Sequence, residues 1–258
     1  SAEREALRLG DAELAPVLEK AGGNAAQIIN FVAGLPLTWR KTAKELLDHM
    51  EQKDLSDVTA QVLNAHLQHA MDYQAYFPHD VFVNDLMNPR IYLEVLTEYK
   101  KELCGIFTSA ERREMRADPS LLWKWVNNHL FLYHEPKDRR ARQTPCGIWK
   151  LGAANETSMK VFFVAACRSL GIPARIEKSD GSLSYYHNGE YHRISTQEQA
   201  AQFGVLVLKR PEKSLLEYDS HVTVGKLENG EYETLRLEHL EWKDDCLECP
   251  VEAGHYRV

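Results

Sequence analysis

The chain has no run approaching the roughly 20 apolar residues that a helix needs to cross a bilayer, so no membrane span is expected. Positive charge is in deficit: 31 Lys and Arg stand against 38 Asp and Glu, a net charge of −7. A surface with that balance repels phosphate backbones, which excludes a general binder of nucleic acid or anionic membranes. Cysteine is sparse and irregular. Cys104, Cys146, Cys167, Cys246 and Cys249 make an odd number without the spacing of a disulfide framework. Cys246-Leu-Glu-Cys249 is a lone CxxC with no second pair or nearby histidine, and reads as two incidental thiols. Internal repeats and low-complexity tracts are missing. So is a glycine loop for phosphate, since Gly22-Gly23-Asn24 lacks a preceding strand and a lysine after it. No cofactor is expected.

What is present suits a packed protein. With 258 residues, 44% hydrophobic and 27% charged, the chain can bury a sizeable core. Residues 1–135 read as helical. Leu14, Val17, Leu18, Ile28, Ile29 and Val32 recur at helical spacing, and Ser56 stands as the cap of a run with Val58, Val62, Leu63 and Leu67 on one face. Thr108-Ser-Ala-Glu111 is a capping box, and Asp118-Pro119 opens a helix with Leu122, Trp125, Val126, His129 and Leu130 on one side. Pro136 to Arg142 reads as a basic, solvated linker, and Thr144-Pro-Cys-Gly-Ile-Trp149 as irregular loop. Met159 to Leu170 is apolar almost all round, the mark of a helix at the centre of a domain, and Gly171 with Pro173 ends it.

Beyond that helix the period becomes that of strands: Ala174–Glu177, Leu183–Tyr186, Val205–Leu208, Val222–Lys226 and Tyr232–Leu237, the last two joined by Asn229-Gly230. Gly254 to Val258 reads as a further strand beginning, so a C-terminal β-module is expected to run on. The expected fold class is α+β, with a helical region at 1–135, a core at 136–212 and a β-rich segment at 213–258.

Arg168-Ser-Leu-Gly-Ile-Pro-Ala-Arg175, following the apolar helix, closely resembles the signature of the transglutaminase-like superfamily, whose fold is related to papain. The stretch 144–177 is similar to a bacterial branch that pairs this domain with an N-terminal helical region and a C-terminal β-module. The resemblance implies a buried helix on an antiparallel sheet and a protein working outside the cytoplasm. It also implies where a catalytic cysteine, histidine and aspartate would stand. A cysteine belongs at the helix N-terminus, where the dipole favours a thiolate. The matching position, twelve residues before Arg168, holds Glu156. The segment 188–195 resembles the strand that ends in the aspartate, with Tyr191 for the family's tryptophan and Ser195 for the acid; the histidine position falls near Asp180. Ser195 also opens a second capping box with Glu198. The catalytic positions thus look vacated. The expectation is a non-catalytic monomer whose cleft binds a glycan, a peptide or a protein partner, lined by Trp149, Asn155, Tyr185, Tyr186 and Tyr191.

Other readings remain open. Cys146 with His187 or His192 would make a cysteine hydrolase or acyltransferase with a relocated nucleophile. The chain would otherwise be a structural module of a larger exported protein. Cys167 reads as inert core, and Thr157 and Ser158 as caps rather than hydroxyl nucleophiles. Glu156 with Asp180 could be an acid–base pair if they met across a cleft. His66 and His69 could share a metal, and read instead as one polar helical face.

Overall fold

The chain divides into two compact units, residues 1–195 and 196–258. The computed structural model describes residues 12–133, 143–194, 204–211, 214–228, 231–235, 240–251 and 254–258, with Arg4 and Leu237. Helices and strands are both present, so the fold is α+β.

In the first unit the helical pattern of the N-terminal region is realised as α1 (Ala15–Ala21), α2 (Ala25–Ala33), α3 (Leu37–His49), α4 (Gln52–Asp57) and α5 (Ala60–Met71). Their apolar faces meet in one core that encloses Leu14, Leu18, Ile28, Phe31, Leu46, Leu63 and Leu67. Burying each such side chain contributes about 1.5–3 kcal/mol against the cost of ordering the chain. The cap of α5 is Thr59, whose Oγ1 accepts the Val62 N–H at 3.2 Å; Ser56 instead donates to the Lys53 carbonyl inside α4. Val58 is extended and separates the two helices, so the cap has to come after it. A short helix, His79–Val81, then runs into a π-helical turn, Phe82–Met87.

A second core begins at Tyr99. It gathers α6 (Lys100–Ile106), α7 (Ser109–Ala117), α8 (Ser120–His129), β1 (Phe131–Leu132), α9 (Pro145–Leu151), β2 (Ala153–Ala154), α10 (Glu156–Ser169), β3 (Ala174–Ile176), β4 (Leu183–His187) and β5 (Glu190–Ile194). Thr108 and Glu111 make the expected capping box at the start of α7. Along α10, Val161 through Cys167 are all buried, so this helix is enclosed on every side as its sequence predicts. Strands β3, β4 and β5 form an antiparallel sheet in sequence order, while β1 and β2 pair in parallel.

Two expectations about this region are corrected. The segment Thr144–Trp149 is no loop: Thr144 Oγ1 caps α9 by accepting the Gly147 N–H at 3.1 Å, Pro145 fits the first turn, and Gly152 ends the helix at φ 68°. The boundary placed at 135/136 is also displaced. Helices from Lys100 onward share their core with α10, so the hydrophobic clusters part between Met87 and Tyr99 and the compact units part at 195/196. The basic stretch 136–142, the box Ser195–Glu198 and the Asn229-Gly230 turn lie outside the described residues.

The second unit holds β6 (Gly204–Lys209), β7 (Gly225–Glu228), β8 (Glu231–Thr234), β9 (Cys246–Val251) and β10 (Tyr256–Arg257). β6 pairs with β9, and β7 lies between β8 and β10. Val224, Leu247 and Cys249 form a small core, over which the Tyr218 hydroxyl donates to the Leu235 carbonyl and accepts the Val224 N–H. Cys246 and Cys249 sit three apart on β9 and so face opposite sides of the ribbon, which leaves the CxxC with no shared site. Among the described residues no helix is long and apolar enough to cross a membrane.

Candidate functional site

The buried helix α10 presents two ends to examine. At the N-terminus, Asn155 Oδ1 caps the helix by accepting the Ser158 N–H at 2.8 Å. Glu156 occupies the first turn, exposed, with its carboxylate 2.9 Å from Lys160 Nζ one turn on. Asp180, in the turn between β3 and β4, accepts the Ser182 N–H at 3.0 Å and pairs with Arg193 at 2.7 Å. Those donors, the Ser182 backbone first, hold its carboxyl down at about 2. Glu156 and Asp180 therefore have separate basic partners and form no acid–base pair. Ser195 lies outside the described residues.

Cys146 is half-buried on α9 beside Glu102 and Lys150. Burial first, then the Glu102 carboxylate, pushes its thiol up to about 12. His187 and His192 belong to the sheet instead: the His192 ring donates to the His187 carbonyl at 3.0 Å and stacks on Tyr185 at 5.5 Å. Cys167 is fully buried and its thiol is raised further by that burial. None of these thiols has the cationic, partly open surroundings that favour a thiolate.

The five residues expected to line one cleft are divided. Asn155 is the helix cap. Trp149 stacks between Trp125 at 5.7 Å and Phe162 at 6.2 Å, with His129 on the far face of Trp125 at 3.9 Å. Tyr185 is buried in the core, whereas Tyr186 packs edge-on to Tyr191 and Phe77. Tyr191 donates its hydroxyl to Asp85 and lies 3.8 Å under the Arg175 guanidinium. Strand alternation separates Tyr185 from Tyr186, and the helical turn of α9 carries Trp149 toward α8.

The other end of α10 is held from several directions. His69 donates to the Ser169 carbonyl at 2.9 Å, and Arg116 to the Leu170 carbonyl at 2.7 Å. Gly171 has φ 78°, and a Cβ there would lie 2.2 Å from the Tyr73 ring. Arg168, buried, donates to the carbonyls of Ala174, Asn88 and Arg90 at 3.0, 2.7 and 2.8 Å. Arg175 pairs with Glu177 at 3.0 Å and with Asp85 at 3.4 Å. The two arginines of the 168–175 segment thus tie the sheet and the helix to the 84–91 segment, between the two cores.

Beside this end, a cavity of about 950 Å³ opens between α5 and α6, lined by residues that include His66, Gln68, His69, Glu98, Lys101 and Gly105. His66 is fully buried, not part of a polar face. Its place three and four residues from Leu63 and Val62, on the apolar stripe of α5, was the signal in the sequence. The ring meets Tyr99 edge-on at 4.8 Å and donates from Nε2 to the Thr97 carbonyl at 2.9 Å, while Nδ1 is buried with no hydrogen-bond partner among the described residues. Burial, then Lys100, depresses His66 well below its usual range and brings His69 down to about 4. Lys100 is itself buried and donates to the Leu86 and Met87 carbonyls at the end of the π-helical turn.

No family model, curated protein or solved structure matches this chain.

Among the described residues no three His, Cys, Asp or Glu side chains are grouped to hold a metal ion. His66 and His69 each donate from Nε2 to a backbone carbonyl. Both are neutral at pH 7 with Nε2–H fixed by a backbone carbonyl, which leaves Nδ1 as the acceptor on each ring.

Proposed function

We propose that the chain is a non-catalytic, transglutaminase-like protein that binds rather than cuts, its buried helix organising a fold and not a reaction. The packing of α10 against β3 and β4, and the placing of Arg168 to Arg175 at the helix-to-strand turn, agree with a papain-related core. One observation carries the reading. The first turn of α10 offers a capping amide and an exposed carboxylate in place of sulfur, and the cysteine ten residues upstream is held protonated. A thiol held that high stays protonated at pH 7, and the nucleophilic thiolate is scarce.

Iodoacetamide labelling at pH 6 tests this, read cysteine by cysteine against a free peptide thiol. All five cysteines should react no faster than the peptide. Rapid, selective alkylation of Cys146 would overturn the proposal in favour of a relocated cysteine nucleophile.

A further inference from the structure

Five basic side chains meet where the first core of residues 1–195 joins the second. His66 and His69 come from α5, Lys100 from α6, Arg116 from α7 and Arg168 from α10. Their hydrogen bonds go to backbone carbonyls, with one more from Arg116 to the Tyr73 hydroxyl. Among the described residues, none of the five donates to a carboxylate. We infer that this cluster is an acid-sensitive clasp: added protons loosen the joint between the two cores while each core stays packed. The inference stands apart from the non-catalytic reading above.

The placing of the cluster is the first support. The first core takes its buried residues from 14–87 and the second from 99–194, with the chain crossing between them at 88–98. Neither core interleaves with the other along the chain, so each has its own packing to hold it when the joint loosens. The basic groups span that joint. His69 reaches from the first core to Ser169, Lys100 reaches back to Leu86 and Met87, Arg168 reaches back to Asn88 and Arg90, and His66 fixes Thr97 on the crossing itself.

The second support is where an added proton would go. Both histidines donate from Nε2, so the next proton arrives at Nδ1. Nδ1 of His66 is buried with no hydrogen-bond partner among the described residues, and a new N–H there would have nothing to donate to. The charged ring would also face Lys100, Arg168 and His69, beside Tyr99. His69 faces Lys100 and Arg116, opposed by Asp72, with Tyr73 alongside. Glu98 and Glu102 line the adjoining cavity together with Lys101, and Glu102 is paired with Lys150. Asp85 of the π-helical turn is taken by Arg175 and Tyr191. Positive charge therefore outweighs negative around the buried rings. Burial, then Lys100, holds both histidines below their usual range, His69 at about 4, and burial, then Arg168, does the same to Lys100. Each of these bases takes its proton more readily once the joint has opened, so opening is favoured as pH falls from 6.5 toward 4.

Hydrogen exchange of the whole chain, read by mass spectrometry at pH 7 and pH 4.5, tests the clasp. Rates are first corrected for the pH dependence of exchange itself. Amides of residues 84–100 should lose protection about tenfold or more at pH 4.5. Those of α2 and of the middle of α10, inside the two cores, should change by less than about threefold. The double variant His66→Phe, His69→Gln removes both titrating rings while keeping the bulk at 66 and a donor for Ser169. Its loss across 84–100 should shrink to less than about threefold. If circular dichroism shows the double variant unfolded at pH 7, His69→Gln alone replaces it and should at least halve the native loss. Unchanged protection across 84–100 at pH 4.5 overturns the inference. So does an equal loss in α2 and α10, which is ordinary acid unfolding of the whole unit. A variant that loosens as much as the native chain overturns it too, because the histidines would then carry none of the response.

Discussion

Helix α10 starts under one side-chain cap and one exposed ion pair, and ends under a histidine, two arginines and a tyrosine ring contributed by two other helices, the turn after α5 and its own last turn. In a cysteine enzyme built on such a helix the first end would hold the chemistry and the second would be mere support. Here the second end has the buried polar network, the close approach and the neighbouring cavity. An arginine, a glycine and a proline at this helix-to-strand turn therefore need no catalysis to explain them. Arg168 satisfies three carbonyls, Gly171 makes room for Tyr73 in a left-handed conformation, and Pro173 accepts the Tyr186 N–H as the chain enters the sheet.

The largest effect should follow from breaking the guanidinium. Arg168→Met keeps much of the apolar volume but leaves the carbonyls of Ala174, Asn88 and Arg90 without their donor. At about 1–3 kcal/mol for a buried carbonyl left without its donor, the three together should cost about 3 kcal/mol or more by urea denaturation. A loss below about 1 kcal/mol would mean that this end is no better anchored than the other.

Gly171→Ala comes next. The left-handed backbone costs a non-glycine residue about 1–2 kcal/mol, and overpacking against Tyr73 adds about 1–3 kcal/mol, so about 2–5 kcal/mol is expected. Gly152→Ala is the control. Its φ is 68° with nothing within 4 Å of the added methyl, so only the first cost applies. Equal losses at the two glycines would show that the Tyr73 contact carries nothing.

The pH dependence of stability probes the same end through His69. Its folded value is about 4 against 6.5 in a free histidine, lowered by burial and by Lys100 and Arg116, and raised in part by the Ser169 carbonyl and Asp72. Between those values the unfolded chain binds more protons, so His69's contribution is complete above pH 6.5 and is lost as pH falls toward 4. His66, facing Lys100 and Arg168, shifts in the same direction. Carboxylates also weaken the fold in acid, so the readout is a difference. His69→Gln retains a donor for Ser169 and should show a smaller fall in Tm than the native chain from pH 7 to 4.5. Identical slopes would remove His69 from the account.

How much of this was legible depended on whether the signal was local. Periodicity alone marked α10 as buried, because seven consecutive enclosed residues from Val161 to Cys167 leave no polar stripe. The α+β order followed from the change of period after Pro173. Helix α9 was legible but misread as irregular loop: Thr144, Pro145 and Gly152 are its start and stop signals. The cavity was not legible at all. His66 and His69 stand 31 and 100 residues from the carbonyls that fix their tautomers, and no local pattern specifies such a pairing. The expected aromatic cleft rested on the family resemblance, which put Trp149 and Tyr185 together, whereas packing gives each its own neighbours.

The smallest effect belongs to the N-terminal end. Glu156 is exposed, and its attraction to the helix dipole and to Lys160 is worth about 0.3–1 kcal/mol, so Glu156→Gln should cost no more than that. Glu156→Cys is the sharper experiment. The new thiol would face the free N–H groups of the first turn, which stabilise a thiolate, so it should alkylate faster at pH 6 than Cys146 does beside Glu102. Reactivity is not catalysis, however. The Asp180 carboxylate is engaged by Ser182 and Arg193, and His192 is committed to the His187 carbonyl and the face of Tyr185. With no imidazole to take and return a proton, the variant should acylate once with p-nitrophenyl acetate and stall. Sustained turnover would mean that a base stands within reach of that first turn. The contrast between a gripped end and a chemically quiet one would then be wrong at the quiet end.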